Sequence, residues 1–535
     1  MKKLLLTLFL TGLSANAQVN FTAQSISFPG DTQRCVVDMN GDFLDDLVGV
    51  SNGHIYVNQQ NPDGTFTLKQ YSTQTTPYLP GWSITAGDFN GDGFNDLLYG
   101  SSTGVAFALT NNMVSGLNYS VVYGNQYVFS QRGNFIDIDN DGNLDAYMCH
   151  DTEASVYYIN ENNQPIFHQG GLGDYPTGGH YGSLWVDYNN DGLMDLFIAK
   201  CGSTEGKRIN ELHRNNGDGT FTNVAPEANL NSSSENWSSA WGDFNNDGWM
   251  DLFNGINAQM QSNVGSHELM RNNGDGTFTN VTAGSGFDNF SGKSREHVTY
   301  DFDNDGYLDI AGNSHTIFFG NGDMTFTPSS VNFSDAAFGD LNNDGFIDAY
   351  AFGVIFYNQG NNNNWIKINT IGTESNKNGI GARVELYSNM GKQIRDVRSG
   401  EGFAFMSTLN THFGIGTDTE IEKIIIRWPS GIVDTILNPE INTTITVTEG
   451  DYQLNIAEQP QLTFSVYPNP VKDLLHIKTA NLSNSGFVIR DLTGSVIMKG
   501  NAQSGKINVN SLQKGVYILT FEQNGQRSNT KFIKQ

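Results

Sequence analysis

The chain has 535 residues, enough for two or three domains; 38% are hydrophobic, adequate for packed cores, and 60 are glycine, a sign of many tight turns. Its 56 Asp and Glu outnumber its 29 Lys and Arg, a formal charge of −27. That excess repels nucleic acid and anionic lipid, excluding both as partners, and leaves carboxylates to hold cations.

At the start, Met1-Lys2-Lys3, the apolar run from Leu4 to Leu13 and Ala15-Asn16-Ala17 read as a signal peptide ending before Gln18. The run is too short for a permanent anchor, and residue 18 is not the cysteine that lipid attachment needs. No later segment is apolar enough to cross a membrane, so the mature protein is expected to be exported and soluble. Cys35, Cys149 and Cys201 cannot supply a disulfide framework for this length and are read as small buried strand residues.

The body of the chain is a repeat. The pattern D-x-[ND]-x-D-G-x-x-D, with one deviation at its glycine, begins at Asp38, Asp88, Asp137, Asp187, Asp243, Asp301 and Asp340. The copies lie about fifty residues apart, a period that suits a four-stranded blade. A β-rich run precedes each acidic loop and a second apolar run leaves it. A third run follows, often ending in Asn, and Asp-Gly turns such as Asp63-Gly64 lead to strands opening Thr-Phe-Thr. Helical periodicity is absent. After Val354 to Asn358 no fourth strand follows, whereas Asn20 to Phe28 resembles one; the N-terminal strand is expected to complete the seventh blade and leave no open edge. The expected fold is all-β, a seven-bladed propeller over residues 18–361.

Three or four carboxylates within nine residues repel one another unless a cation sits among them. An irregular loop of oxygen donors suits calcium, with side chains one, three, five and nine converging and a carbonyl at position seven. Glycine at position six allows the sharp turn. The candidate ligands are Asp38, Asn40, Asp42 and Asp46; Asp88, Asn90, Asp92 and Asp96; Asp137, Asp139, Asp141 and Asp145; and Asp187, Asn189, Asp191 and Asp195. The later loops add Asp243, Asn245, Asp247 and Asp251; Asp301, Asp303, Asp305 and Asp309; and Asp340, Asn342, Asp344 and Asp348. Up to seven calcium ions follow, structural and not catalytic, with the first loop expected to bind most weakly or not at all because Phe43 replaces the glycine.

These loops resemble FG-GAP (VCBS-type) repeats, the units of the integrin α-subunit propeller. The resemblance implies calcium at one face of the disc and a partner surface at the opposite face and central axis. From Asn364-Trp365 the chain resembles the ASPIC and UnbV domain, through Ser375 to Val384, Arg398-Ser399-Gly400, His412 to Gly416 and Arg427 to Gly431. This β-rich domain, expected over 362–450, brings no established chemistry. After a polar linker at 451–463, Tyr467-Pro468-Asn469-Pro470, Asp491-Leu492-Thr493-Gly494 and Lys514-Gly515-Val516-Tyr517 resemble the type IX secretion sorting domain of Bacteroidetes, a small β-sandwich over 464–535. It implies engagement of the type IX machinery and a final place outside the cell or on its surface.

No catalytic motif stands out. Gly100-Ser101-Ser102-Thr103-Gly104 matches G-x-S-x-G but lies between two strands, where a nucleophile elbow needs a strand-to-helix turn. Near the starts of the first strands, opposite the acidic loops, the sequence places Trp82, Gln131, Arg132, His180, Tyr181, Trp237, Arg295, Glu296 and His297. Gathered around one opening they would suit a sugar or a peptide. The leading expectation is an extracellular binding module for glycan or protein ligands; a polysaccharide lyase or hydrolase and a surface-layer component are the alternatives.

Overall fold

A computed structural model describes residues 19–535 apart from 114–115, 257–266, 289, 291–293, 313–314, 454–463, 480–481, 493 and 524–525. The expected signal peptide and most of the expected linker lie outside the described residues. The chain divides into two compact units, one up to Gln453 and one from Leu454.

Seven four-stranded antiparallel sheets make the body of the first unit. Each begins with an inner strand that runs into an acidic loop, and the loop's ninth residue opens the second strand: Thr32–Val37 leads to Asp46–Ser51, and Ser130–Ile136 leads to Asp145–His150. The inner strands, nearly all buried, pack against those of neighbouring sheets and set the sheets as blades around an axis. Phe302 against Phe338 joins the sixth blade to the seventh.

The seventh blade is composite. Ala337–Gly339, Asp348–Ala351 and Val354–Asn358 take Phe21–Ser25 as their fourth strand, with Phe21 opposite Asn358 and Ser25 opposite Val354. Hydrogen bonds thus close the ring, as the repeat requires. Helix is confined, among the described residues, to Ala225–Ala228 and a single 3-10 turn at Glu205–Lys207. The three cysteines are free and buried in the blades, and burial pushes the Cys149 thiol up to about 12.

Residues 364–448 of the same unit form two further sheets. In one, Asn364–Ile371 lies between Thr411–Gly416 and the parallel strand Thr443–Thr448; in the other, Arg383–Ser388 and Ile421–Arg427 are central. Their apolar faces share a core with blades two to four: Ile366, Val384 and Ile426 join Phe135, Met148 and Leu196 in one buried cluster. This segment sits on the end of the propeller that carries the acidic loops. A Cβ on Gly414 would meet the Cα of Asn304 at 2.3 Å, and the Trp365 ring lies flat against Gly345.

The second unit packs a three-stranded sheet, Ser465–Tyr467 with Leu474–Lys478 and Lys506–Asn508, against four strands ending in the long hairpin Gly515–Gln523 and Gln526–Lys534. Leu475, Ile489, Leu519, Phe521 and Phe532 fill its core.

Candidate functional site

Each acidic loop turns on two residues in the left-handed region. Position four is Gly41 or Gly91 in the first two loops and Asn140, Asn190, Asn246, Asn304 or Asn343 in the rest, all with positive φ. Position six is glycine in six loops; in the first, Phe43 takes φ 64, so the turn is kept at a steric cost of about 1–2 kcal/mol.

The turn points backbone amides at the first aspartate. Asp88 accepts from the amides of Asp92 and Gly93 at 3.0 and 2.8 Å, and Asp137, Asp187, Asp243, Asp301 and Asp340 accept from the same two positions of their loops. In the third and sixth loops, the two with Asp at position three, carboxylate oxygens of Asp137, Asp139 and Asp145, and of Asp301, Asp303 and Asp309, lie within 4.8 Å of one another. Clustered hard oxygen donors of this kind fit calcium. Burial pushes the carboxylates up, Asp38, Asp88, Asp137 and Asp187 to about 6 and Asp46 and Asp195 to about 8. A cation among them would favour the ionised form and reverse that shift.

The ninth aspartate has a second task that the sequence pattern did not show. In the third loop, Asp145 accepts from the Ile138 amide at 2.8 Å with one oxygen and from the Asn160 amide, at the end of the third strand, at 2.8 Å with the other. Asp46, Asp96, Asp251, Asp309 and Asp348 clasp loop and third strand in the same way. The Asn that often ends the third strand locks the arrangement from the far side: Asn160, Asn272 and Asn358 donate to carbonyls of the preceding blade.

Cations from residues 364–448 reach the undersides of the loops. Lys367 Nζ lies 3.0 Å from Asp340, both buried, and Arg383 bonds Asp396 at 2.7 Å while donating to the Asp187 carbonyl at 2.8 Å. His412 bonds the Gly345 carbonyl at 2.9 Å.

From this covering segment a loop, Val397 to Asn410, descends into the axis. Its backbone pairs with inner strands of the propeller: the Val36 amide donates to the Met406 carbonyl at 2.9 Å, and the Met406 amide to the Arg34 carbonyl at 2.8 Å. Glu296 accepts the amides of Phe403, at 2.7 Å, and Ala404. Arg132, fully buried, donates to the carbonyls of Phe405 and Phe403 at 2.8 and 3.3 Å. Gly400 and Gly402 are required here, because a Cβ on either would strike the Arg132 guanidinium or the Glu296 carboxylate.

The residues expected to form a ligand face divide accordingly. Trp82, Tyr181 and Trp237 do meet at the axis, but around Phe403, whose ring centroid lies 6.3, 6.3 and 4.9 Å from theirs. Arg132 and Glu296 hold the descending loop. His180 lies off the axis in a buried charge cluster, 3.5 Å from Glu211, which also binds Lys200 at 2.6 Å and His213 at 2.8 Å. His297 bonds Ser238 between blades five and six, Gln131 bonds Asp151 at 3.4 Å, and Arg295 pairs with Asp335 at 3.3 Å. In this structure the chain itself fills the opening. Arg398-Ser399-Gly400, read in the sequence only as part of the ASPIC and UnbV resemblance, lies in this loop. Ser101 lies in a strand-to-strand turn, its amide bonded to the Gly104 carbonyl at 2.9 Å.

A propeller of acidic-loop blades, capped by a β-rich domain and followed by a small sandwich, is an FG-GAP-repeat architecture. Family comparison finds the FG-GAP-like repeat at 38–99, 137–198 and 187–253, ASPIC and UnbV at 372–454, and the secretion system C-terminal sorting domain at 465–535. The protein is an extracellular FG-GAP-repeat protein with a type IX sorting tail, exported to the cell surface or beyond. No helix among the described residues is long and apolar enough to cross a membrane.

Among curated proteins, human cartilage acidic protein 1 is 27% identical over 291 residues, 47% of this chain and 42% of that protein, so the chain matches less than half of its relative's length. PorZ, described as an essential surface component of the type IX secretion system of Porphyromonas gingivalis, aligns over 94% of this chain and 81% of its own, at 11% identity and a TM-score of 0.19. A rhamnogalacturonan lyase of Bacillus licheniformis aligns over 79% of this chain and 92% of its own, at 10% identity and a TM-score of 0.29.

Proposed function

We propose that the protein is a calcium-loaded extracellular binding module that takes a glycan or protein ligand on the face opposite its acidic loops. Within the first unit, residues 364–448 cover the loop end of the propeller, so its other end carries the recognition surface. Phe352 is the observation that carries this reading. It is 65% exposed, sits in the left-handed region at φ 50 in a two-residue hairpin turn, and lies edge-on to Phe405 at 6.1 Å. A bulky aromatic held both exposed and strained is retained for something other than stability. Partly exposed Trp82 and Tyr181, on the same end, extend the apolar surface, and aromatic faces suit sugar rings and apolar peptide side chains alike.

Calcium is the cation the loop donors fit, structural in role, and the segmentation 18–361, 362–450, 451–463 and 464–535 is the organisation we propose. An array of glycans and matrix proteins probed with the full chain, with calcium and then with chelator, tests the reading. Selective binding, lost on chelation and weakened by Phe352→Ala, supports it. Silence from a folded, calcium-loaded protein overturns it and directs attention to polysaccharide cleavage.

A further inference from the structure

The blades serve as controls for one another. Three residues after the ninth aspartate of its loop, six of them carry Gly49, Tyr99, Met148, Ile198, Gly312 and Ala351. The fifth carries Asn254, 1% exposed, and opposite it on the third strand stands Glu268. Both line a cavity of about 190 Å³ floored by the buried side chains of Leu230, Leu252 and Met270. That volume far exceeds the space of one water and stops short of the roughly 300 Å³ where drug-sized sites begin, which suits a single small ring.

The amide of Asn254 is fixed by what its nitrogen does. Nδ2 donates to Asn236 Oδ1 at 3.2 Å and to Glu268 Oε2 at 3.3 Å, which sets the orientation of the group and leaves Oδ1 without a donor. A buried amide oxygen in that state is costly unless a ligand or water reaches it. Glu268 also accepts from the Ser232 hydroxyl at 2.8 Å with Oε1, and burial pushes its carboxyl up. The fourth blade shows the contrast: Glu211, opposite Ile198, is balanced by Lys200 at 2.6 Å and His213 at 2.8 Å. Among the described residues the wall of the cavity holds no lysine or arginine to do the same for Glu268. Two amides of the rim are already engaged, Asn229 with the Phe278 carbonyl and Asn280 with the Thr282 amide, and exposed Asn231 completes the wall.

We infer that this cavity binds one ring of a neutral sugar, with Asn254 Oδ1 and the Glu268 carboxylate accepting from adjacent hydroxyl groups. Neighbouring hydroxyls on one ring answer both acceptors together, whereas an ammonium group would answer the carboxylate and leave the amide idle. A calcium ion would find one carboxylate here, where each acidic loop offers three or four. The carbon face of the ring lies on Leu230, Leu252 and Met270, a polar rim over an apolar floor. The site shares no residue with the Phe352 surface, so the two readings stand or fall separately.

Saturation-transfer NMR of the calcium-loaded full chain with the methyl glycosides of glucose, galactose, mannose, rhamnose and xylose tests the inference, with tetrahydropyran as the ring without hydroxyls. Asn254→Ile installs the residue type of the fourth blade, and Glu268→Gln keeps an acceptor for Ser232; melting curves check that each folds, and either folded variant decides. The expected result is transfer to at least one glycoside, with a Kd raised at least about fivefold by either substitution, as the loss of a hydrogen bond or two implies, and unchanged in Phe352→Ala. Absence of transfer to every glycoside, equal transfer to tetrahydropyran, undiminished binding in a folded variant, or loss of binding in Phe352→Ala would each overturn it.

Discussion

Replacing Phe403 by alanine tests whether the descending loop is a structural element of the propeller or a passenger in it. The ring is fully buried, with Trp82, Tyr181 and Trp237 around it at centroid distances of 4.9 to 6.3 Å. Emptying such a site costs about 3–5 kcal/mol from lost transfer energy and the cavity left behind. Each aromatic pair adds about 0.5–1.5 kcal/mol beyond area burial, which favours the upper part of that range. The amides of Phe403 and Ala404 keep their bonds to Glu296, so the loop's backbone stays in place and the loss reports the side chain alone. Urea denaturation read by tryptophan fluorescence is the assay, because Trp82 and Trp237 face the deleted ring. The expected result is a lower midpoint with an unchanged slope. A loss below about 1 kcal/mol, within the range of ordinary surface substitutions, would refute the packing described.

Lys367→Met leaves Asp340 buried without its ammonium partner and should cost about 3–5 kcal/mol in the same assay. Phe43→Gly removes the positive-φ penalty and should raise stability by up to about 1 kcal/mol; a decrease would show that the ring's packing outweighs the strain. Chelation should lower the melting temperature, since each ion held at a hundredfold excess over its Kd adds about 2.7 kcal/mol. Burial opposes ionisation of Glu449, but the Ser430 hydroxyl and the amides of Ser375 and Thr373 hold its carboxyl down at about 2. A depressed carboxyl stabilises the fold above its unfolded value near 4.5 and loses that contribution as pH falls toward 2, in all about 3 kcal/mol. Glu449→Gln should flatten that acid limb in pH-dependent melts.

The propeller was legible because its signal is local and repeated. Nine consecutive residues specify each turn, and the Phe21–Ser25 closure follows from counting strands. The acidic loops were equally legible as turns, while the clasp made by the ninth aspartate was not, since its partners sit on the third strand some fifteen residues away. The descending loop was illegible for a different reason. Arg132 and Phe405 are 273 residues apart, and Phe403-Ala404-Phe405 reads as any short apolar run. Without that contact, Trp82, Tyr181 and Trp237 look like an open mouth.

The ring's seam is one ladder of five residue pairs joining Phe21–Ser25 to Val354–Asn358. No disulfide guards it, since the three cysteines are free, and a strand held only by hydrogen bonds and packing is open to a peptidase whenever it lifts away. Trimming a few residues past Phe21 would uncover the flank of Val354–Asn358, a row of unpaired backbone groups ready to accept the N-terminal strand of a second copy. The durability of the molecule in its surroundings therefore depends on keeping Phe21–Ser25 paired in the seventh blade.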